Sequence, residues 1–121
     1  MNLAVSPNAQ EPMYRQIYEQ IAGQILSGAL RAGAALPPIR TVAAELRISI
    51  ITIKRAWEEL ERDGYIESIP GSGCYVRSVQ SDQRREKLHR RIEADIAYYR
   101  SLGLEKQEVL GLLDALWEEE P

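Results

Sequence analysis

The run Ile50-Ile51-Thr52-Ile53 opens the stretch ISIITIKRAWEEL, residues 48–60, whose later residues carry a helical pattern. β-Branched side chains crowd the preceding helical turn and are mediocre helix formers. A helix that begins with four of them needs partners for those side chains. Turning about 100° per residue from Ile53 places Ala56, Trp57 and Leu60 within roughly 60° of it, a stripe suited to a core. Ile51, Arg55, Glu58 and Arg62 then point the other way, Lys54 stands at the flank, and Ile50 lies nearer the core edge. Ser49 is placed to cap this helix by accepting a backbone N–H. What Ile50 and Ile51 face is the question the stretch poses.

The flanking segments supply an architecture. Residues 12–28 repeat apolar groups at Tyr14, Ile17, Tyr18, Ile21 and Ile25, the spacing of an amphipathic helix, with Pro12 suited to its first turn and Gly28 to its end. ALRAGAALPP has turn composition, and Ile39, Val42, Ala43 and Leu46 then make a second, shorter stripe that Pro38 starts without a capping hydroxyl. After the third helix, YIESI and CYVRS read as strands around Pro70-Gly71-Ser72-Gly73, which is hairpin chemistry. Three helices followed by a β-hairpin, with a short turn between helices two and three, make a winged helix-turn-helix. There the third helix enters the major groove and the hairpin lies along the flanking backbone or minor groove. The outward side chains then meet DNA. Ile51 and Ile50 can pack on thymine methyls, Thr52 can contact a methyl, a base edge or a phosphate, and Lys54 supplies positive charge.

Composition narrows the remaining choices. With 121 residues and 45% hydrophobic content, the chain holds one ordinary domain and a small appendage, mostly α with a small β-hairpin. Cys74 and His89 are its only cysteine and histidine. That excludes an intramolecular disulfide and a Cys/His zinc cluster, so neither metal nor cofactor is expected, and His89 reads as a surface residue. MNLAVSPNAQEP lacks the basic start and apolar run of a secretion signal, and no apolar stretch approaches the roughly 20 residues of a membrane span, so a cytoplasmic protein is expected. Residues 1–78 carry eight Lys/Arg and eight Asp/Glu, and residues 79–121 carry seven and ten, so the net charge of −3 sits at the back. A nucleic acid responds to a basic face rather than to the total, and Arg40, Arg47, Lys54 and Arg55 are candidates for one. The run Arg84, Arg85, Lys87, Arg90 and Arg91 reads as a solvated helix face.

The tail carries a second apolar pattern. Leu88, Ile92, Ile96 and Tyr99 stripe one helix, Gly103 breaks it, and Val109, Leu112, Leu113, Leu116 and Trp117 stripe another. Two short helices cannot enclose that surface alone. They could pack on their own DNA-binding domain or on the same helices of a second chain. The second is favoured, because a twofold dimer presents two recognition helices to a palindrome about one DNA turn apart. Residues 1–78 are thus expected to bind DNA and residues 79–121 to dimerise, with room for an unidentified small-molecule effector only at the helix junction or between subunits. The acidic end EEEP opposes the helix dipole and is expected to fray.

With these residues in place, the chain resembles a GntR-type transcription regulator. LPPIRTVAAEL resembles that family's Leu-Pro-Ser-x-Arg helix-two signature, ISIITIKRAWEELERDGYIE its recognition helix, and PGSGCYV its glycine wing. The match runs over about residues 12–78, with motifs in order. It implies that Arg40, Ser49, Thr52, Lys54 and the Gly71-Ser72-Gly73 tip contact DNA. Two positions depart from the pattern. Ile50 stands where many members have an arginine, which removes a guanine contact, and Pro38 stands where serine is usual, which removes a phosphate-binding hydroxyl. Isoleucine here followed by Thr-x-Lys-Arg-Ala, with a short C-terminal region, is similar to the YtrA subgroup. The resemblance implies a dimeric repressor on a palindromic operator. The alternatives are a winged-helix module for protein assembly, which would need neither Lys54 nor the wing tip, and an enzyme. Family winged helices also occur fused to aminotransferase-like domains that bind pyridoxal phosphate, and this length makes that reading remote.

Overall fold

Helix α1 (Met13–Ser27) forms where the first apolar stripe lies, burying Ile17, Tyr18, Ile21, Ala22 and Ile25 along one face. Pro12 precedes it without a side-chain cap, and Gly28, at φ 87°, turns the chain out of it. The computed structural model describes residues 1–79 and 81–119. These fall into two units, Met1–Gln80 and Ser81–Pro121.

In the first unit, α2 (Ile39–Leu46) buries Val42 and Ala43, and α3 (Ile50–Arg62) buries Ile53, Ala56, Trp57 and Leu60. The stripes of the three helices converge with Leu36, Tyr65, Ile66 and Val76 in a single apolar core. Trp57 is a core residue. Tyr18 ties α1 to the end of α3 by donating its hydroxyl to the Asp63 carboxylate, and its ring meets Tyr65 edge-on at 6.1 Å. Burial first, and then the Asp63 carboxylate, push the Tyr18 hydroxyl pKa well up, so it stays a donor.

Strands β1 (Ile66–Ile69) and β2 (Gly73–Val76) pair antiparallel, Ile66 opposite Val76 and Ile69 opposite Gly73. The ladder is shorter than the two sequence segments, although the Arg77 N–H still donates to the Tyr65 carbonyl at 2.9 Å. On its other side β2 meets residues 33–36. Gly33 and Leu36 donate to the carbonyls of Val76 and Cys74 at 2.8 and 2.9 Å, Val76 donates to Ala34 at 2.9 Å, and Ala35 bridges Tyr75. The segment with turn composition thus contributes an extended edge that ties the entry to α2 to the wing.

The N-terminal residues also have a defined place. Gln16, Gln20 and Gln24 recur every fourth residue of α1, and their amide nitrogens donate to the carbonyls of Ser6, Ala4 and Asn2 at 2.9, 2.6 and 2.8 Å. Ala4 and Ser6 return their N–H groups to Gln20 and Gln16 at 2.9 and 2.8 Å. The match is geometric. Four helical residues rise about 6 Å and two extended residues span about 6.6 Å, so an antiparallel strap meets the helix at each step. Leu3 and Val5, the alternate residues, pack against the core.

The second unit holds α4 (Ser81–Ser101) and α5 (Lys106–Glu119). Gly103, at φ 78°, stands between them. Of their described residues none is buried. α5 continues through Glu118 and Glu119, and the remainder of the acidic end expected to fray, Glu120 and Pro121, lies outside the described residues. Among the described residues no helix is long and apolar enough to cross a membrane.

Candidate nucleic-acid interface

The start of α3 is built by its cap. Ser49, in extended conformation, accepts the Thr52 N–H on its hydroxyl at 3.2 Å, and the two hydroxyls lie 2.8 Å apart. One of the two hydroxyl protons closes that link and the other is left for an outside acceptor. Ile53 and Trp57 anchor the helix from within, while Ile50 and Ile51 are 42% and 79% exposed. This answers what the β-branched run faces: Ile53 the core, Thr52 its own cap, and Ile50 and Ile51 the outside.

Cations in the first unit divide by partner. Arg15 pairs with Glu19 at 3.0 Å, and Arg62 lies 3.8 Å from Glu59 and 3.5 Å from Asp63. Arg55 lies 3.7 Å over the Tyr14 ring and donates to its hydroxyl at 3.1 Å. Its charge is turned onto α1, so of the four cations grouped by sequence Arg55 is the one already engaged. Arg40, Arg47 and Lys54 are exposed, with no carboxylate within reach among the described residues. Lys54 does not pair with Glu58. Arg31 and Arg77, which flank the pairing of residues 33–36 with β2, also have no carboxylate within reach among the described residues, and the sequence reading passed over both because they lie outside the second and third helices and their turn.

At the wing, Ser72 bonds the Tyr75 hydroxyl, and Gly71 and Gly73 hold φ of 77° and 139° with open space where a side chain would start. Backbone sign rather than crowding asks for glycine here, and the absent side chains leave the tip open to close approach. Arg40, Ser49, Ile50, Ile51, Thr52 and Lys54 fall on α2, α3 and the turn joining them; Gly71, Ser72 and Gly73 form the tip of the hairpin.

In the second unit, Leu88, Ile92, Ile96, Leu112, Leu113, Leu116 and Trp117 are all exposed, Trp117 at 72%, while Tyr99 and Val109 are half-buried. Tyr98, Leu102 and Leu110 add to this surface. Arg90 and Arg91 pair with Glu86 and Asp95 one turn away on α4, at 2.6 and 3.1 Å, as a solvated face does. Among the described residues no group of three or more His, Cys, Asp or Glu is placed to hold a metal ion.

Held from inside by Ile53 and Trp57 and followed by the glycine-tipped hairpin, α3 is the third helix of a winged helix-turn-helix fold. The chain belongs to the gntR family of bacterial regulatory proteins, whose model matches residues 13–76. It is 31% identical to the uncharacterized HTH-type transcriptional regulator YhcF of Bacillus subtilis, over 84% of this chain and 87% of that one. It is 34% identical to the HTH-type transcriptional repressor YtrA of the same organism, over 61% of this chain and 57% of YtrA. A solved GntR family transcriptional regulator from Listeria monocytogenes, 26% identical, superposes with a TM-score of 0.78 over 89% of this chain and 97% of that one. The chain spans only 16% and 31% of the length of two further curated relatives. Family and fold together make it a winged helix-turn-helix protein of the gntR family, similar to YtrA.

Proposed function

We propose that the chain is a repressor that occupies a palindromic operator as a homodimer. The observation that carries this is the start of α3, where exposed Ile50 and Ile51 are followed by exposed Lys54, which has no carboxylate within reach among the described residues. On this reading Ile51 and Ile50 pack on thymine methyls. Thr52 and Ser49 offer one hydroxyl proton to a phosphate or base edge, and Lys54 and Arg40 grip phosphates. The Gly71-Ser72-Gly73 tip lies on the flanking backbone or minor groove. A second copy covers the apolar faces of α4 and α5, through Leu88, Ile92, Ile96, Tyr99, Val109, Leu112, Leu113, Leu116 and Trp117. An exposed apolar surface of that extent marks an interaction site.

A protein-assembly module would leave no use for the unpaired Arg40 and Lys54. Sequencing duplex fragments that the purified protein retains from a random pool separates the two. The proposal expects an inverted repeat with half-sites about one DNA turn apart; recovery of no enriched motif contradicts it.

A further inference from the structure

We infer that Arg47, in the turn between α2 and α3, grips a backbone phosphate of duplex DNA, and that this contact is why an arginine stands at a backbone position suited to glycine. The inference rests on the DNA-binding reading above and adds a contact to it. Arg47 has φ 57° and ψ 45°. Among the described residues it is the only one other than glycine with a positive φ, whereas Gly28, Gly33, Gly64, Gly71, Gly73 and Gly103 take the other such positions. In that conformation the Cβ of an L-residue presses on the following carbonyl. Asn and Asp tolerate it through short side chains that bond locally, and arginine has no such relief.

The strain has no local return. The turn is closed by backbone groups alone: the Arg47 N–H caps α2 on the Ala43 carbonyl, and the Ile48 N–H donates to the same carbonyl at 3.1 Å. The guanidinium is exposed and has neither a carboxylate nor a hydrogen-bond partner among the described residues. Glycine would make the same turn without the strain. An outlier that the fold does not need points to a ligand. Arg47 lies two residues before Ser49, the cap of the helix whose first turn meets DNA. A guanidinium is a planar fork of donors that matches phosphate oxygens and keeps its charge at any working pH.

Two substitutions in the full chain separate backbone from charge. Arg47→Gly relieves the conformation and removes the cation, while Arg47→Gln removes the cation and keeps the conformation. Melting temperature would be measured together with binding to a random duplex and to a duplex that the wild type selects, over a range of salt, with Lys54→Ala alongside. Arg47→Gly should melt above the wild type yet bind both duplexes roughly three- to tenfold more weakly, with the salt slope reduced by about one ion per protomer. Arg47→Gln should melt like the wild type and show the same loss of binding. Wild-type affinity and slope in both variants would overturn the inference, and so would a loss seen with glycine but not glutamine. Loss confined to one base pair would make Arg47 a base reader and overturn the phosphate assignment. If Lys54→Ala weakens binding and the Arg47 variants do not, the DNA reading stands and this inference alone fails. If the wild type binds no duplex, both fall.

Discussion

Ile51 and Ile53 are two residues apart on one helix and face opposite environments, one 79% exposed and the other fully buried. Helical angle alone decides this, which is why the inward stripe and the outward flank of α3 were legible in the sequence. The engagement of Arg55 with Tyr14 was not legible, since it depends on how α1 and α3 pack. The link between Ser49 and Thr52 was half legible: the cap follows from residue type, the shared hydroxyl proton only from geometry. At Ile51 the expected contact is apolar. Replacing the contacted thymine by uracil should weaken the wild type and leave Ile51→Ala unaffected, as read by parallel titrations; equal losses in both proteins would remove the methyl contact. At Lys54 the expected contact is a phosphate. Lys54→Ala should weaken operator and random duplex alike and lower the salt slope by about one ion. Unchanged binding and slope would take Lys54 out of the interface.

Elements marked by a periodic side-chain pattern or by turn residues came through in the sequence, and segments held only by bonds to distant residues did not. The helices and the glycine hairpin announce themselves by stripes and turn residues. Residues 33–36 pair with β2 through carbonyls and N–H groups, which ALRAGAALPP does not display. The N-terminal strap was missed for another reason: side-chain amides hold it to residues distant in the chain. Gln16, Gln20 and Gln24 lie off the apolar stripe of α1, and only the folded chain brings Asn2, Ala4 and Ser6 to them. Gln20 is the best place to measure the strap, because its side chain both gives and receives a bond with Ala4. Gln20→Ala should destabilise the fold by about 1 kcal/mol, the lower end for two bonds on a solvated surface. A denaturation midpoint would register that loss with unchanged m; an unmoved midpoint would mean that the strap adds nothing. Operator affinity under native conditions should stay near the wild-type value, since Gln20 lies outside the proposed interface.

The described residues divide into a unit with a complete core and a unit in which none is buried. The core of residues 1–80 is closed by Ile17, Ile21, Ile53, Leu60 and Ile66, all but fully buried, whereas the described residues of α4 and α5 leave every large apolar side chain exposed or half-exposed. On the proposed account a second copy completes the second unit, and linking two reading heads raises affinity for a palindrome without any new contact to DNA. Leu113→Ala and Trp117→Ala should each weaken self-association, since truncating a large apolar side chain buried in an interface typically costs about 2–5 kcal/mol. Sedimentation at falling concentration would show it as earlier dissociation, with the melting of the first unit unchanged; wild-type dissociation in both variants would place the interface elsewhere. The most direct test removes the second unit altogether. Chain truncated after Val79 would be weighed by light scattering and titrated onto the selected operator beside the intact protein. The account predicts a folded monomer whose operator affinity falls by a factor of roughly 10² to 10⁴, because each half-site is then bound independently. A truncated protein that stays dimeric, or a monomer that binds the full palindrome as tightly as the intact chain, would contradict it.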